Sequence, residues 1–181
     1  MRFSPTKIQG CRLLSLEPQS DSRGFFARTW CADELRAEGL TAEISQASVS
    51  FNHLRGTLRG MHFQAEPCAE AKVVACIRGA IYDVVLDLRP RSPTYLRWEA
   101  FELTAENRLR LFVPEGCAHG FQSLVDDSEL LYLISRPYSR EHSRGVRYND
   151  PCFGIEWPLA VTAISDADRS RPDYQPGEAT L

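Results

Sequence analysis

The stretch Gly56–Lys72, GTLRGMHFQAEPCAEAK, brings Arg59, His62, Gln64 and Lys72 into one short, strand-prone segment. These side chains hold anions and move protons. A guanidinium fork matches phosphate or carboxylate oxygens, and an unperturbed imidazole, with a pKa of about 6.5, is a free base at neutral pH. A strand carries alternate side chains on one face. Leu58, Gly60, His62 and Gln64 then share one face, and Arg59, Met61 and Phe63 share the other. Arg59 and His62 are therefore out of phase. Either Arg59 sits at the strand's mouth, or Gly60 marks a bulge that turns it toward the His62 face. Both arrangements put polar groups at the opening of a pocket. Taken alone, the stretch is better read as an amphipathic edge strand with a surface arginine and a satisfied histidine.

The elements that must position these residues are mostly strands. Ile8–Leu16 alternates weakly, a polar turn follows, and Phe25–Trp30 reads as a second strand. Ala32–Glu38 is the best helix candidate, with Gly39 placed to stop it. Ser45–Asn52, Thr57–Gln64, Val73–Ile77, Ile81–Leu88, Trp98–Leu103, Arg108–Val113 and Glu129–Ser135 are strand candidates, and Pro114-Glu115-Gly116 is a turn that delivers His119. Arg78-Gly79-Ala80 reads as a tight hairpin, which would set Lys72 opposite Asp87 and Cys76 opposite Asp83, with those acids orienting or neutralising the lysine. Many short strands between turns predict an all-β sandwich or barrel. From Tyr138 onward the chain is less regular, with a helical turn expected at Asp166–Arg169 and loose order over Tyr174–Leu181.

The totals set outer bounds. A chain of 181 residues fits one domain, taken as 1–181 with an irregular extension from about 138. Lys plus Arg number 21 against 24 Asp plus Glu, so no basic field recruits nucleic acid or an anionic membrane surface. The six cysteines, at 11, 31, 68, 76, 117 and 152, form no CxxC pair and no zinc-type spacing. No segment has the length of a membrane span, and a cytoplasmic protein with reduced thiols is expected.

The pairing of Gly56…His62 with Pro114-x-Gly-x-x-His119 resembles the two motifs of the cupin superfamily, a jelly-roll β-barrel. Metal-binding cupins use two histidines and a glutamate from the first motif and one histidine from the second. Here Gln64 stands at the second histidine's place and Lys72 near the glutamate's. A lysine puts a positive charge where a metal needs an anionic oxygen, and two imidazoles make a poor site. No metal and no cofactor are expected, which disfavours a metal-dependent cupin oxygenase or isomerase.

A more specific resemblance covers nearly the whole chain. Asp21–Phe26, Leu58–Gln64, Asp83–Arg89, Pro114–Phe121, Asn149-Asp150-Pro151 and Ile164–Asp168, in that order, are similar to the dTDP-4-dehydrorhamnose 3,5-epimerase family. The resemblance implies a metal-free, cupin-like jelly-roll homodimer, with short helices in its N- and C-terminal parts, acting on a nucleoside-diphospho 4-keto-6-deoxy sugar. A 4-keto group acidifies the protons on C3 and C5, so inversion needs a base on one face, a donor for the enolate and an acid on the other face. The family pattern makes His62 the base, paired with Asp168, sets Lys72 at the oxyanion and makes Tyr132 the acid. Arg23 and Arg59 would bind the diphosphate, and His119 would donate in the pocket or else be a core histidine bonded to backbone. Tyr138 and Phe26 resemble residues that flank the base, and Gln46 matches a glutamine near it. His53 and His142 read as surface residues, and Arg55, Arg91 and Arg110 as solvated. Where the family often has a glutamate and an asparagine, this chain has Arg28 and Ser48, which leaves open a CDP- or GDP-linked sugar, a heptose or a single epimerisation. A non-catalytic sugar-nucleotide-binding cupin would need no His62, Lys72, Tyr132 and Asp168 set.

Overall fold

In the computed structural model, which describes residues 1–175, β-structure dominates. Strands β1 (Arg2–Pro5) and β2 (Arg12–Ser15) pair with each other, β3 (Gln19–Asp21) and β4 (Gly24–Phe26) form a separate small hairpin, and helix α1 spans Ala32–Ala37. There follow β5 (Gln46–Asn52), β6 (Leu58–Gln64), β7 (Lys72–Arg78), β8 (Ala80–Asp87), β9 (Trp98–Thr104), β10 (Arg110–Val113), β11 (Cys117–Ser123), β12 (Ser128–Ile134), β13 (Ser143–Gly145) and helix α2 (Asp166–Arg169). One sheet has the order β1-β2-β10-β7-β12-β5 and the other β13-β6-β11-β8-β9. All their ladders are antiparallel. From β5 to β12 successive strands alternate between the two sheets, β8 and β9 excepted, which is jelly-roll connectivity. The expected all-β, cupin-like fold is present.

One expected turn is different. Arg78-Gly79-Ala80 is a corner at which the chain leaves the six-stranded sheet and enters the five-stranded one, not a hairpin. Gly79 takes φ +75°, and a Cβ there would lie 2.7 Å from Ser128 Oγ. Lys72 consequently pairs along the backbone with Val113 and Ile134 rather than with Asp87. Asp87 instead accepts from Arg89, Ser92 and Thr94.

Strands β7 and β8 are covered on both faces, which explains the continuous apolar runs Val73–Cys76 and Val84–Leu86. Val74, Cys76, Val85, Leu111 and Phe121 point between the sheets. Val73 and Phe112 face outward against Leu35 of α1. Met61, Val84 and Leu86 face outward on the other side, under Val146, Phe153 and Ile155. The chain after Tyr138 is thus poor in strands, as expected, yet it supplies a core of its own. Tyr174 is tied down by its backbone N–H to Asp150 and its hydroxyl to Tyr95, so the expected loose order does not begin there, and residues 176–181 lie outside those described. Arg110, expected to be solvated, has a buried Nε without a partner among the described residues, and burial pushes its pKa down. The six cysteines are free, and burial pushes Cys11 up to about 12 and Cys76 to about 11, which keeps both thiols protonated.

Candidate active site

At one end of the sandwich the apolar filling gives way to a cavity of about 760 Å³. Its walls come from β5, β7 and β12 on one side, and from β6, β11 and the segment around Asp168 on the other. The volume lies within the roughly 300–1,000 Å³ typical of small-ligand sites.

A bulge in β6 settles the phase of Arg59 and His62. His62 is opposite His119, while Arg59 is opposite Phe121, so Gly60 and Met61 together face Gly120. Gly60 has φ +124°, and a Cβ there would stand 2.4 Å from the Gly120 Cα. Only glycine fits so close an approach. The bulge restarts the alternation, sending Met61 into the outer core while Arg59 and His62 both line the cavity. Of the two arrangements open to the sequence, the bulge is the one adopted.

Asp168 reaches His62 from far along the chain. Ala163 bridges to Thr57, its carbonyl accepts from Leu58 N, and Ser165 caps α2 by accepting from Asp168 N at 3.1 Å. The carboxylate, nearly buried, then bonds His62 Nε2 at 2.6 Å and faces Gly60 N at 3.4 Å. Burial alone would raise the Asp168 pKa, but the bonds and charge around it, led by His62, hold it below the usual carboxylate range. With Nε2–H donating to Asp168, His62 keeps its basic lone pair on Nδ1.

His119 is a second histidine on a buried acid. Its Nε2 bonds Asp83 Oδ1 at 2.7 Å, and both side chains are almost wholly buried although His119 still lines the cavity. Its partner is a carboxylate, not backbone. Tyr132, from the facing sheet, stands edge-on to His119 with ring centroids 6.0 Å apart. Burial, with Asp83 adding to it, pushes the Tyr132 phenol far up, so it stays protonated and able to donate. Lys72 is paired with Glu70 at 2.8 Å. Arg59 Nε donates to Asn52 Oδ1 at 2.8 Å and Nη2 to Phe51 O at 3.3 Å, which leaves Nη1 for a ligand. Gln64 spends its amide on Cys68 O, Pro137 O and Ser139 N, and Gln46 accepts from Tyr138 N. Together these two glutamines fix the loop that carries Tyr138, a ring 65% exposed on the cavity wall.

The cavity therefore brings together His62, Asp168, Lys72, Tyr132, Arg59, His119, Gln46 and Tyr138. Arg23 and Phe26 are elsewhere. Both lie on the β3–β4 hairpin, Arg23 paired with Asp21 and Phe26 77% exposed, so neither is a core residue nor a wall of this cavity. Ser48 lines the cavity, while Arg28 lies outside it, bound to Glu34. Of the histidines read as surface residues, His53 is exposed and His142 is half-buried, its Nδ1 bonded to Ser139. Sequence reading missed Asn52 and Glu70 as parts of the site and Arg171 as a wall of its cavity, and it gave Asp83 to Lys72 where the structure pairs it with His119. Asp83 alone had a signal, lying in a strand otherwise apolar through Leu86. Among the described residues no three of His, Cys, Asp and Glu converge into a metal-holding set.

Comparisons with known proteins place the chain in one family. The family model described as dTDP-4-dehydrorhamnose 3,5-epimerase matches residues 5–175. A dTDP-4-dehydrorhamnose 3,5-epimerase from Sinorhizobium fredii is 40% identical over 95% of this chain and 89% of its own length. The crystal structure of a Bacillus anthracis dTDP-4-dehydrorhamnose 3,5-epimerase with TDP and PPi bound superposes with a TM-score of 0.91 at 38% identity, covering 96% of this chain and 99% of that one. A 3'-monoepimerase from Streptomyces bikiniensis in complex with dTDP-quinovose superposes with a TM-score of 0.85 at 34% identity, covering 93% and 86%.

Proposed function

As the chain belongs to the dTDP-4-dehydrorhamnose 3,5-epimerase family and is an isomerase, we propose that it inverts C3 and C5 of dTDP-4-dehydro-6-deoxyglucose with His62 as base and Tyr132 as acid. The observation that carries this reading is that the two groups stand on opposite walls. His62, held by Asp168, belongs to the five-stranded sheet, and Tyr132, its phenol kept protonated, to the six-stranded one. Inversion requires a proton to leave one face of a carbon and arrive at the other.

The steps follow from the residues. His62 Nδ1 takes the proton from C3 or C5, and Asp168 stabilises the imidazolium that forms. The electron pair moves onto the 4-keto oxygen as an enolate, for which Lys72 and His119 supply positive charge and a hydrogen bond. Tyr132 then returns a proton to the opposite face. Arg59 grips the diphosphate, and Tyr138 and Gln46 receive the base. The whole chain works as one unit in the cytoplasm, as a homodimer in which Arg23 and Phe26 of one subunit complete the other's cavity. Their exposure on a projecting hairpin supports that placement.

Incubation with dTDP-4-dehydro-6-deoxyglucose in D₂O, read by NMR, tests the reaction. Deuterium at both C3 and C5 is expected. Label at one carbon only would reduce the enzyme to a mono-epimerase, the activity stated for the Streptomyces bikiniensis structure. Absence of label with the dTDP, CDP and GDP sugars alike would reject catalysis and leave a binding protein.

A further inference from the structure

The chemistry above leaves Arg171 without a part. It lines the cavity, its Nε stands 3.9 Å from Asp168 Oδ1, and that same oxygen takes the His62 bond at 2.6 Å. The Arg171 side chain is only 26% exposed, and its Nε is buried without a hydrogen-bond partner among the described residues. Its seat is specific. A Cβ on Gly145 would fall within 2.6 Å of the guanidinium carbon and of Nε, and Gly145 is the residue of β13 directly opposite His62. A guanidinium held so close to a buried carboxylate, yet making no hydrogen bond to it, acts on it through charge.

We propose that Arg171 is a positioning residue that acts through Asp168 to keep His62 in its free-base form. The imidazolium is stabilised by the negative charge of Asp168, and a permanent cation beside that carboxylate offsets part of the stabilisation. The sign follows. Without the cation, Asp168 acts on His62 undiluted, the imidazolium persists to higher pH, and less free base is present at neutrality. Other charged or titratable groups face His62 as well: Arg59 on its own strand, His119 with Asp83 across the ladder, and Lys72, Glu70 and Tyr132 from the other wall. All remain in place when residue 171 alone is changed.

The inference rests on the reading of His62 as base, and two measurements separate them. The first is an NMR titration of the His62 imidazole, assigned with His62→Asn, in the wild type, Arg171→Met, Arg171→Gln and Arg171→Lys. The second is the pH profile of kcat/KM in the same proteins. In both neutral variants the His62 midpoint is expected to rise by about half a pH unit or more, the acid limb of kcat/KM to rise with it, and kcat above that limb to match the wild type. Lysine restores the wild-type midpoint. An unmoved midpoint in folded Met and Gln variants overturns the proposal, and an unmoved midpoint with a raised KM would make Arg171 a substrate contact instead. A midpoint that rises while the acid limb stays fixed supports the action on Asp168 and His62 but removes His62 as the base.

Discussion

On the proposed reading His62 and Tyr132 carry separable halves of the reaction, and single substitutions should separate them. His62→Asn is expected to lower both epimerisation and solvent deuterium exchange by about 10²–10⁴-fold, read by NMR under single-turnover conditions. Tyr132→Phe should reduce inversion by a similar factor while exchange at the acidified carbons falls far less, since the base still removes the proton. Asp168 adds a pH signature of its own. Its carboxyl is held below the usual range, so its ionised form stabilises the fold above about pH 4, the unfolded value, and that contribution is lost as pH falls through the lower folded value. Asp168→Asn should be less stable at pH 7 and show a flatter loss of stability between about pH 5 and pH 2, measured by urea unfolding at each pH. Arg59, His62 and Lys72 were legible because such types stand out in a strand-prone segment, whereas Tyr132 and Asp168 were legible only through the family resemblance. The pairings of Asp83 with His119 and of Asn52 with Arg59 were not, because each depends on strand register and on which face of the sheet is turned inward, and neither can be read from one segment.

At the scale of elements, the β6 bulge is what converts a list of polar residues into a site. Gly60→Ala would force a Cβ to 2.4 Å from the Gly120 Cα at a φ of +124°, and is expected to cost about 3 kcal/mol or more. Thermal unfolding of the variant measures it, and activity should fall further than stability because Arg59 and His62 lose their common face. The sequence marked this glycine as a choice between two geometries, and packing against Gly120 decides between them. The Gly79 turn was misread for a related reason. A hairpin and a corner between sheets use the same short punctuation, and only the partners of β7 and β8 distinguish them. The stretch after Tyr138 misleads in the other direction, since irregular sequence there conceals Phe153 and Ile155, which cover the outer face of a sheet.

On the scale of the whole molecule, the cavity as one chain builds it lacks two of the residues the family pattern assigns to substrate. Arg23 and Phe26 stand on the projecting β3–β4 hairpin. If that hairpin serves a second subunit, Arg23→Ala and His62→Asn proteins, each inactive alone, should regain partial activity when unfolded together and refolded, because a mixed dimer holds one complete site. Sedimentation of the mixture reports the dimer, and absence of recovery would place Arg23 in its own chain's site or in none. The alternation of successive strands between the sheets also bears on how the molecule is made. Most ladders join segments distant in the chain, β5 with β12 and β6 with β11 among them, while β1–β2, β3–β4 and β8–β9 join neighbours, so refolding should be slow for a protein of this size. During synthesis the sandwich cannot close until β12 has emerged, and α2 follows later still. On the proposed reading a nascent chain thus completes every strand wall around the base before it receives the carboxylate that holds it, and stays catalytically silent until α2 docks.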